Sequence, residues 1–352
     1  MARVTLQDVA SQVGVDRSTV SRVLSNKAAE GGISVELAQR IIEKARELNY
    51  IPNTSARAIR MGRFNCAALL MSTDAGRSYL PSRLLDGMHD ELAAADMHLT
   101  VAKIPDERLN SEDYVPKILR TLMADGLLIN YTHHLPEHLV EIIEQRQVPA
   151  VWINSRREQD AIYPDNREAA KLATEQLLAV GHKRIAYLDM CHGRSVVSTS
   201  HFSTLDRAAG YQAAMRQAGL PAWELRPERS CLNLDAERAY ALEILRRPDR
   251  PTAVVCYFAI FVPALLWAAN ELGLRVPRDL SLVTFAAEDF REQGVVASSL
   301  LEPHYAMGQE AVRALRQKIA QPLEAIPSRA LDFVWRDMGT CVAPPAETQL
   351  RS

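Results

Sequence analysis

Apolar residues recur at helical spacing in the first fifty positions, and strand-like apolar runs alternate with amphipathic segments over most of the rest. In TLQDVASQVGVDRSTVSRVLSN, from Thr5 to Asn26, Leu6, Val9, Ala10 and Val13 mark a first helix, and Gly14 supplies the backbone freedom that ends it. Asp16 is placed to cap a second helix whose inward stripe is Val20, Val23 and Leu24. Arg17, Ser18, Thr19, Ser21 and Arg22 are left near its start or on its outer face, with no carboxylate among them. Two short helices around a tight turn predict a helix-turn-helix, which sets the start of its second helix against base edges in a major groove. The competing reading is a small amphipathic hairpin with solvated polar residues. A third helix, capped by Ser34 and striped with Leu37, Ile41, Ala45 and Leu48, completes a small core.

Tyr50-Ile51-Pro52-Asn53 then breaks the pattern, and a short basic run, TSARAIRM, is capped by Asn53 and ended by Gly62. Fewer than three turns of helix are marginal in water, so this run is expected to be helical only when something holds it. Ala56 and Ile59 form its small apolar edge, and an unstructured linker is the competing reading.

From Cys66 onward, CAALLM, MHLTVA, GLLIN and PAVWIN are separated by helical segments from about Ser82 to Ala95, near Tyr114 to Ala124, and from Glu137 to Gln145. A second series follows: helix Arg167 to Val180, RIAYLDM, helices Leu205 to Ala218 and Asp235 to Arg246, TAVVCY, helix Phe261 to Leu272, and LSLVTF. Such alternation predicts an α/β body of parallel sheets flanked by helices, long enough for two units. Ligands of such sheets lie beyond the carboxyl ends of strands, which draws attention to the loops after Met71, Asn130, Asn154, Tyr257 and Phe285.

Charge changes the picture more than composition does. The net charge of -2 conceals a head, residues 1–63, with ten Lys and Arg against six Asp and Glu, and a body with 31 against 37. A basic head on an acidic body suits polyanion binding by the head alone. The chain is 352 residues long and 47% hydrophobic, enough for a substantial core, and contains no uninterrupted apolar run long enough for a membrane span. A soluble, cytoplasmic protein is expected. Cys66, Cys191, Cys231, Cys256 and Cys341 lack CxxC spacing and are read as reduced thiols. His133, His134 and His138 lack a Cys or carboxylate at zinc spacing, and GxSxG, HExxH, P-loop and GxGxxG motifs are absent. Cys191-His192 reads as lining a pocket, because adjacent residues on an extended chain point apart. The expectation is therefore no metal, no cofactor and no enzyme.

TLQDVASQVGVDRSTVSRVLSN, ELNYIPNTSARAIRMGR, LLAVGHKRIAYL, RAAGYQAAM, RPTAVV and LGLRVPRDLSLVTF resemble, in order, the blocks of the LacI/GalR family of bacterial transcription regulators. The resemblance implies a helix-turn-helix domain (1–49), a hinge helix (50–63) and a two-lobed, periplasmic-binding-protein-like core for effector binding and dimerisation (64–352). The first lobe is placed at about 64–163 plus 293–324, and the second at about 164–292 plus 325–345, including a strand near Ala330 to Trp335.

It further implies that Arg17 and Ser18 read bases, with Arg22 on a base edge or phosphate, while Thr5, Thr19, Ser21 and Asn26 grip phosphate. A bidentate Arg–guanine pair discriminates by about 1–3 kcal/mol. Asn53, Ala56 and Ile59 belong to a hinge helix that enters the minor groove, with Ile59 where the family has a leucine wedge. The expected partners are a palindromic double-stranded DNA operator bound by a homodimer and a small-molecule effector, a sugar or sugar derivative, between the lobes. Candidate effector residues are Asp74, Tyr79, Asn130, Asn154, Arg207, Phe258, Ala287 and Glu302.

The pocket departs from the family pattern. Phe258-Ala259 stands in place of an Asn-Asp pair, and Thr284-Phe285-Ala286-Ala287 in place of a block ending in two aspartates. Alanine cannot accept hydrogen bonds from sugar hydroxyls, and compensation by Glu288, Asp289 or Glu302 requires a shifted loop. A ligand with an apolar or aromatic part, a differently oriented glycoside, control by a protein partner and no effector at all stay open. So does a solute-binding protein or enzyme on the same core, which the basic head disfavours.

Overall fold

The computed structural model describes residues 4–25, 32–51, 63–74, 77–109, 116, 124–132, 137–191, 201–229, 231, 233–287 and 297–345. Asn26, Asn53, Ala56, Ile59, His133, His134, His192, Glu288 and Asp289 lie outside these residues, as do the Asn53 to Met61 run and most of the segment expected to be helical near Tyr114 to Ala124. The chain divides into two compact units, Met1–Phe64 and Asn65–Ser352.

In the head, α1 spans Leu6–Val13, α2 Arg17–Leu24 and α3 Val35–Glu47. Gly14 ends α1 in the left-handed region at φ 77°, donating its N–H to Ala10 O at 2.9 Å. Val9, Ala10, Val20, Val23, Ile41 and Ala45 form the buried centre, with Leu37 and Leu48 half-buried at its edge. All three helices contribute to this core, so none of them is stable by local propensity alone.

The body holds two six-stranded sheets. The first contains β1 (Cys66–Ser72), β2 (His98–Ile104), β3 (Gly126–Asn130), β4 (Ala150–Ile153), β5 (Ala161–Pro164) and β11 (Arg329–Leu331), in the order β11-β5-β4-β3-β1-β2. One face is covered by α4 (Ser82–Ala94) and α10 (His304–Ala320), through Leu84, Met88, Leu92, Met307, Ala311 and Leu315. The other is covered by α5 (Glu137–Gln145), through Leu139, Ile142 and Ile143. Burial on both faces is why β1 and β3 read as continuous apolar runs without alternation.

The second sheet has the order β12-β10-β9-β8-β6-β7, from β6 (Ile185–Leu188), β7 (Trp223–Leu225), β8 (Ala253–Cys256), β9 (Ser281–Ala286), β10 (Ser298–Leu301) and β12 (Val334–Arg336). Its helices are α6 (Asn166–Ala179), α7 (Ser203–Gln217), α8 (Leu234–Leu245) and α9 (Val262–Glu271), which follows a 3-10 turn at Ala259–Phe261. Helices α6 and α7 approach closely at Gly210, where a Cβ would collide with the Arg167 carbonyl oxygen. Buried His182 fastens the start of β6 to its neighbours, with Nδ1 2.9 Å from Thr252 Oγ1 and Nε2 2.8 Å from Val342 O.

The lobes differ from the sequence reading at the C-terminal crossovers. Residues 293–324 were placed whole in the first lobe, yet β10 pairs in parallel with β9 of the second sheet, and only α10 packs in the first. Residues 325–345 were placed in the second lobe, yet β11 pairs with β5 in the first sheet. The single strand expected near Ala330 to Trp335 is two strands, one in each sheet, separated by Asp332 and Phe333. A strand of three or four residues carries no sequence mark of which sheet it joins, because register is set by neighbours distant in the chain.

The chain thus passes between the sheets at 164–166, 302–303 and 332–333.

Candidate functional site

In the head, Asp16 caps α2: its Oδ1 accepts the Ser18 backbone N–H at 2.7 Å. That contact, with the Gly14 turn, fixes where the first turn of α2 begins. Arg17, Ser18 and Arg22 are exposed there, while Thr19 and Ser21 are half-buried beside Val20. This face offers guanidinium forks and hydroxyls, with the sole carboxylate of the turn, Asp16, occupied by the helix start. Thr5 has a structural role that the sequence reading missed. It forms a capping box with Asp8, whose Oδ2 accepts from both the Thr5 backbone N–H and its hydroxyl at 2.8 Å. Both hydrogen bonds hold the Asp8 carboxyl below its ordinary range.

In the body, the candidate pocket residues fall into three groups. On the first lobe, Asn130 ends β3 fully buried, with Nδ2 donating to Tyr79 O at 2.7 Å and the Asn130 carbonyl accepting from Ser78 Oγ at 2.6 Å. Asn154 follows β4 at φ 54°, and its carbonyl accepts from His201 Nε2 of the second lobe at 3.1 Å. The Oδ1 atoms of Asn130 and Asn154 are buried and have no hydrogen-bond partner among the described residues. Each is a desolvated acceptor suited to an N–H or O–H donor. Tyr79 and Asp74 are exposed, and Asp74 forms an ion pair with Arg77 at 3.8 Å.

The second group is an aromatic cluster at the carboxyl ends of β8 and β9. Tyr257 and Phe285 are buried, Phe258 is half-buried, and the Tyr257 hydroxyl lies 2.8 Å from Ser203 Oγ, which in turn is 2.8 Å from His201 Nδ1. Ala287 follows β9 and offers only its carbonyl oxygen, 3.4 Å from His304 Nδ1.

The third group joins Arg207 and Glu302 directly. Arg207 Nη2 donates to Glu302 Oε1 at 2.7 Å, while Glu302 Oε2 lies 2.9 Å from His304 Nε2. Burial works to raise the Glu302 carboxyl, but the His304 hydrogen bond and the Arg207 charge outweigh it and hold the group down to about 2. The compensating acid considered from the sequence is therefore present, but it faces Arg207, and no shifted loop is needed to bring it there. His304 and Asn166, which also contacts Arg207, were missed; nothing local in the sequence marks them, because both acquire their partners at crossovers.

Among the described residues, no three His, Cys, Asp or Glu side chains are grouped to hold a metal ion, and no helix is long and apolar enough to cross a membrane. Cys191 follows β6 exposed, its N–H donating to Asp189 Oδ1 at 3.0 Å.

Residues 174–337 match the model of a periplasmic binding protein-like domain. The chain is 25% identical over 347 residues to the HTH-type transcriptional regulator DegA of Bacillus subtilis (strain 168), covering 92% of this chain and 97% of DegA. It is 25% identical over 326 residues to the HTH-type transcriptional repressor PurR of Vibrio vulnificus (strain CMCP6), covering 90% and 92%. These relatives are regulators of transcription. The fold is similar to that of the Lac repressor dimer bound to operator and the anti-inducer ONPF, with TM-score 0.76 and 21% identity over 97% of this chain and all of that one. It is also similar to a CelR–cellobiose complex, with TM-score 0.62 and 22% identity over 96% of this chain and all of that one. Residues 5–53, which hold the capped helix α2, match the model of bacterial regulatory proteins of the lacI family, as the sequence resemblance implies for the head.

Proposed function

We propose that the chain is a sequence-specific DNA-binding regulator of transcription, a repressor that binds a palindromic operator as a homodimer and responds to a small molecule held between its lobes. The observation that carries this reading is α2: its first turn is fixed by Asp16 and Gly14, and it presents Arg17, Ser18 and Arg22 to solvent. Arg17 and Ser18 serve base edges and Arg22 a base edge or phosphate, with Thr5, Thr19 and Ser21 on the backbone. Asn26 joins the phosphate contacts, and Asn53, Ala56 and Ile59 meet the minor groove. The protein works in the cytoplasm on the nucleoid and performs no catalysis.

The effector is an uncharged metabolite of the carbohydrate class or one related to it, with hydrogen-bond donors on one side and an apolar face on the other. Support comes from the two buried amide oxygens of Asn130 and Asn154 on the first lobe and the Tyr257–Phe258–Phe285 cluster on the second. Effector binding shifts the population of lobe arrangements, and operator affinity follows.

Selection of bound sequences from random duplex DNA at moderate salt tests the central claim. The expected product is two inverted half-sites about one helical turn apart. Affinity for it should fall steeply as salt rises. Recovery of no palindrome, or of sequences bound with no salt dependence, sinks the proposal.

A further inference from the structure

One side chain reaches all three crossovers between the lobes. Arg207, buried on α7, donates from Nε to Asn166 Oδ1 at 2.8 Å, and Asn166 Nδ2 donates to Pro164 O at 3.0 Å, which closes the first crossover. Its Nη2 donates to Glu302 at the second, and its guanidinium carbon stands 5.5 Å from the ring centroid of Phe333 at the third. The rest of the group is held by the second lobe: Nη1 donates to Tyr257 O at 2.7 Å, and the Phe285 and Tyr257 rings lie 4.2 and 5.1 Å from the guanidinium carbon.

A buried cation is costly unless it is paired and hydrogen-bonded, and this one has a carboxylate, two further acceptors and three aromatic faces. Glu302 is held in turn by His304, the first residue of α10 in the other lobe. Any relative movement of the lobes rotates backbone at 164–166, 302–303 and 332–333, so it must strain or rearrange this set of contacts together.

We propose that Arg207 is a positioning residue that pins the three crossovers into one hinge. Its charge is already neutralised by Glu302, so a ligand carboxylate or phosphate would have to displace that carboxylate to reach it. This rests on the reading of the body as a two-lobed switch, and it makes lobe motion a property of buried Arg207 and Glu302 as much as of the ligand.

Hydrogen exchange on the full-length chain, without DNA or ligand, tests the pin directly. In E302Q, which keeps the side-chain shape and removes the charge, peptides covering all three crossovers should exchange about tenfold faster or more, while β3 and β8 keep their protection. R207K keeps a cation for Glu302 but lacks the fork, so it should loosen 164–166 and spare 302–303. Faster exchange confined to the peptide that carries the substitution would overturn the proposal, as would unchanged exchange in E302Q. If R207K does not fold, E302Q alone decides. Operator binding by E302Q, measured in parallel, separates the two readings: loosened crossovers with unchanged operator affinity support the pin and count against coupling of the lobes to the head.

Discussion

Glu302 shows how a single carboxylate comes to serve the whole body. Its group is desolvated, yet His304 and Arg207 together hold it down to about 2. A carboxyl with a depressed native value stabilises the fold above its unfolded value, near 4.5, and this contribution disappears as pH falls toward 2. Over that interval it amounts to something on the order of 3 kcal/mol. Urea unfolding midpoints measured between pH 5 and 2.5 should therefore drop more steeply for the wild-type chain than for E302Q. Parallel curves would show that the carboxyl titrates as it does in the unfolded chain. Phe258 and Ala287 differ at this scale in supplying no acceptor side chain, whereas the buried Oδ1 atoms of Asn130 and Asn154 are acceptors without a partner among the described residues.

Among the elements, α2 is the one whose function depends on where it starts. Asp16 fixes that start through its 2.7 Å bond to the Ser18 N–H, and the helix-start hydrogen bonds hold its carboxyl below the ordinary range. Replacing Asp16 by Ala removes the cap and also a negative charge beside exposed Arg17 and Ser18. Specific binding should weaken several-fold while non-specific binding strengthens, and D16N, which can still cap, should restore much of the discrimination. Titrations of operator and random duplex with both variants check this; equal changes on both DNAs would show that charge alone is at work. Helices α6 and α7 obey a steric rule instead. With no room for a Cβ at Gly210, the glycine of the RAAGY block is explained by backbone contact with Arg167.

At the scale of the whole molecule, a homodimer needs a surface to pair through. Strand β2 is the edge of the first sheet and leaves Val101 49% exposed, and α4 beside it leaves Leu85 37% exposed. With Arg83, Asp86, His89, Asp90, Leu99 and Tyr305 they line a groove of about 670 Å³. An exposed apolar edge strand invites pairing with another chain. V101K should shift the protein toward monomer in sedimentation velocity and reduce operator affinity at least about tenfold, because one head then reads one half-site. A V101K chain that remained dimeric would place the interface elsewhere.

The head was almost wholly legible, because its information is local: the period of Leu6, Val9 and Val13, the Gly14 stop and the Asp16 and Ser34 caps act within a few residues of themselves. The long buried strands and their helices were legible for a related reason, since a sheet covered on both faces imposes continuous apolar runs. Strands β5, β7 and β10 were not foreseen, since AIYP, WEL and SSLL carry a proline or polar residues in place of the continuous apolar runs of β4 and β8, and β11 and β12 were read as one. The partners of Arg207 were out of reach too: Asn166, Glu302 and Phe333 converge from 41, 95 and 126 residues away in the numbering of the chain. Sequence by itself determined the three helices of the head with their caps and that the body would be two α/β units. Only the tertiary structure decided which strand joined which lobe and that Arg207 was already paired with Glu302, because hydrogen-bond partners and desolvation are set by packing between segments that local pattern cannot relate.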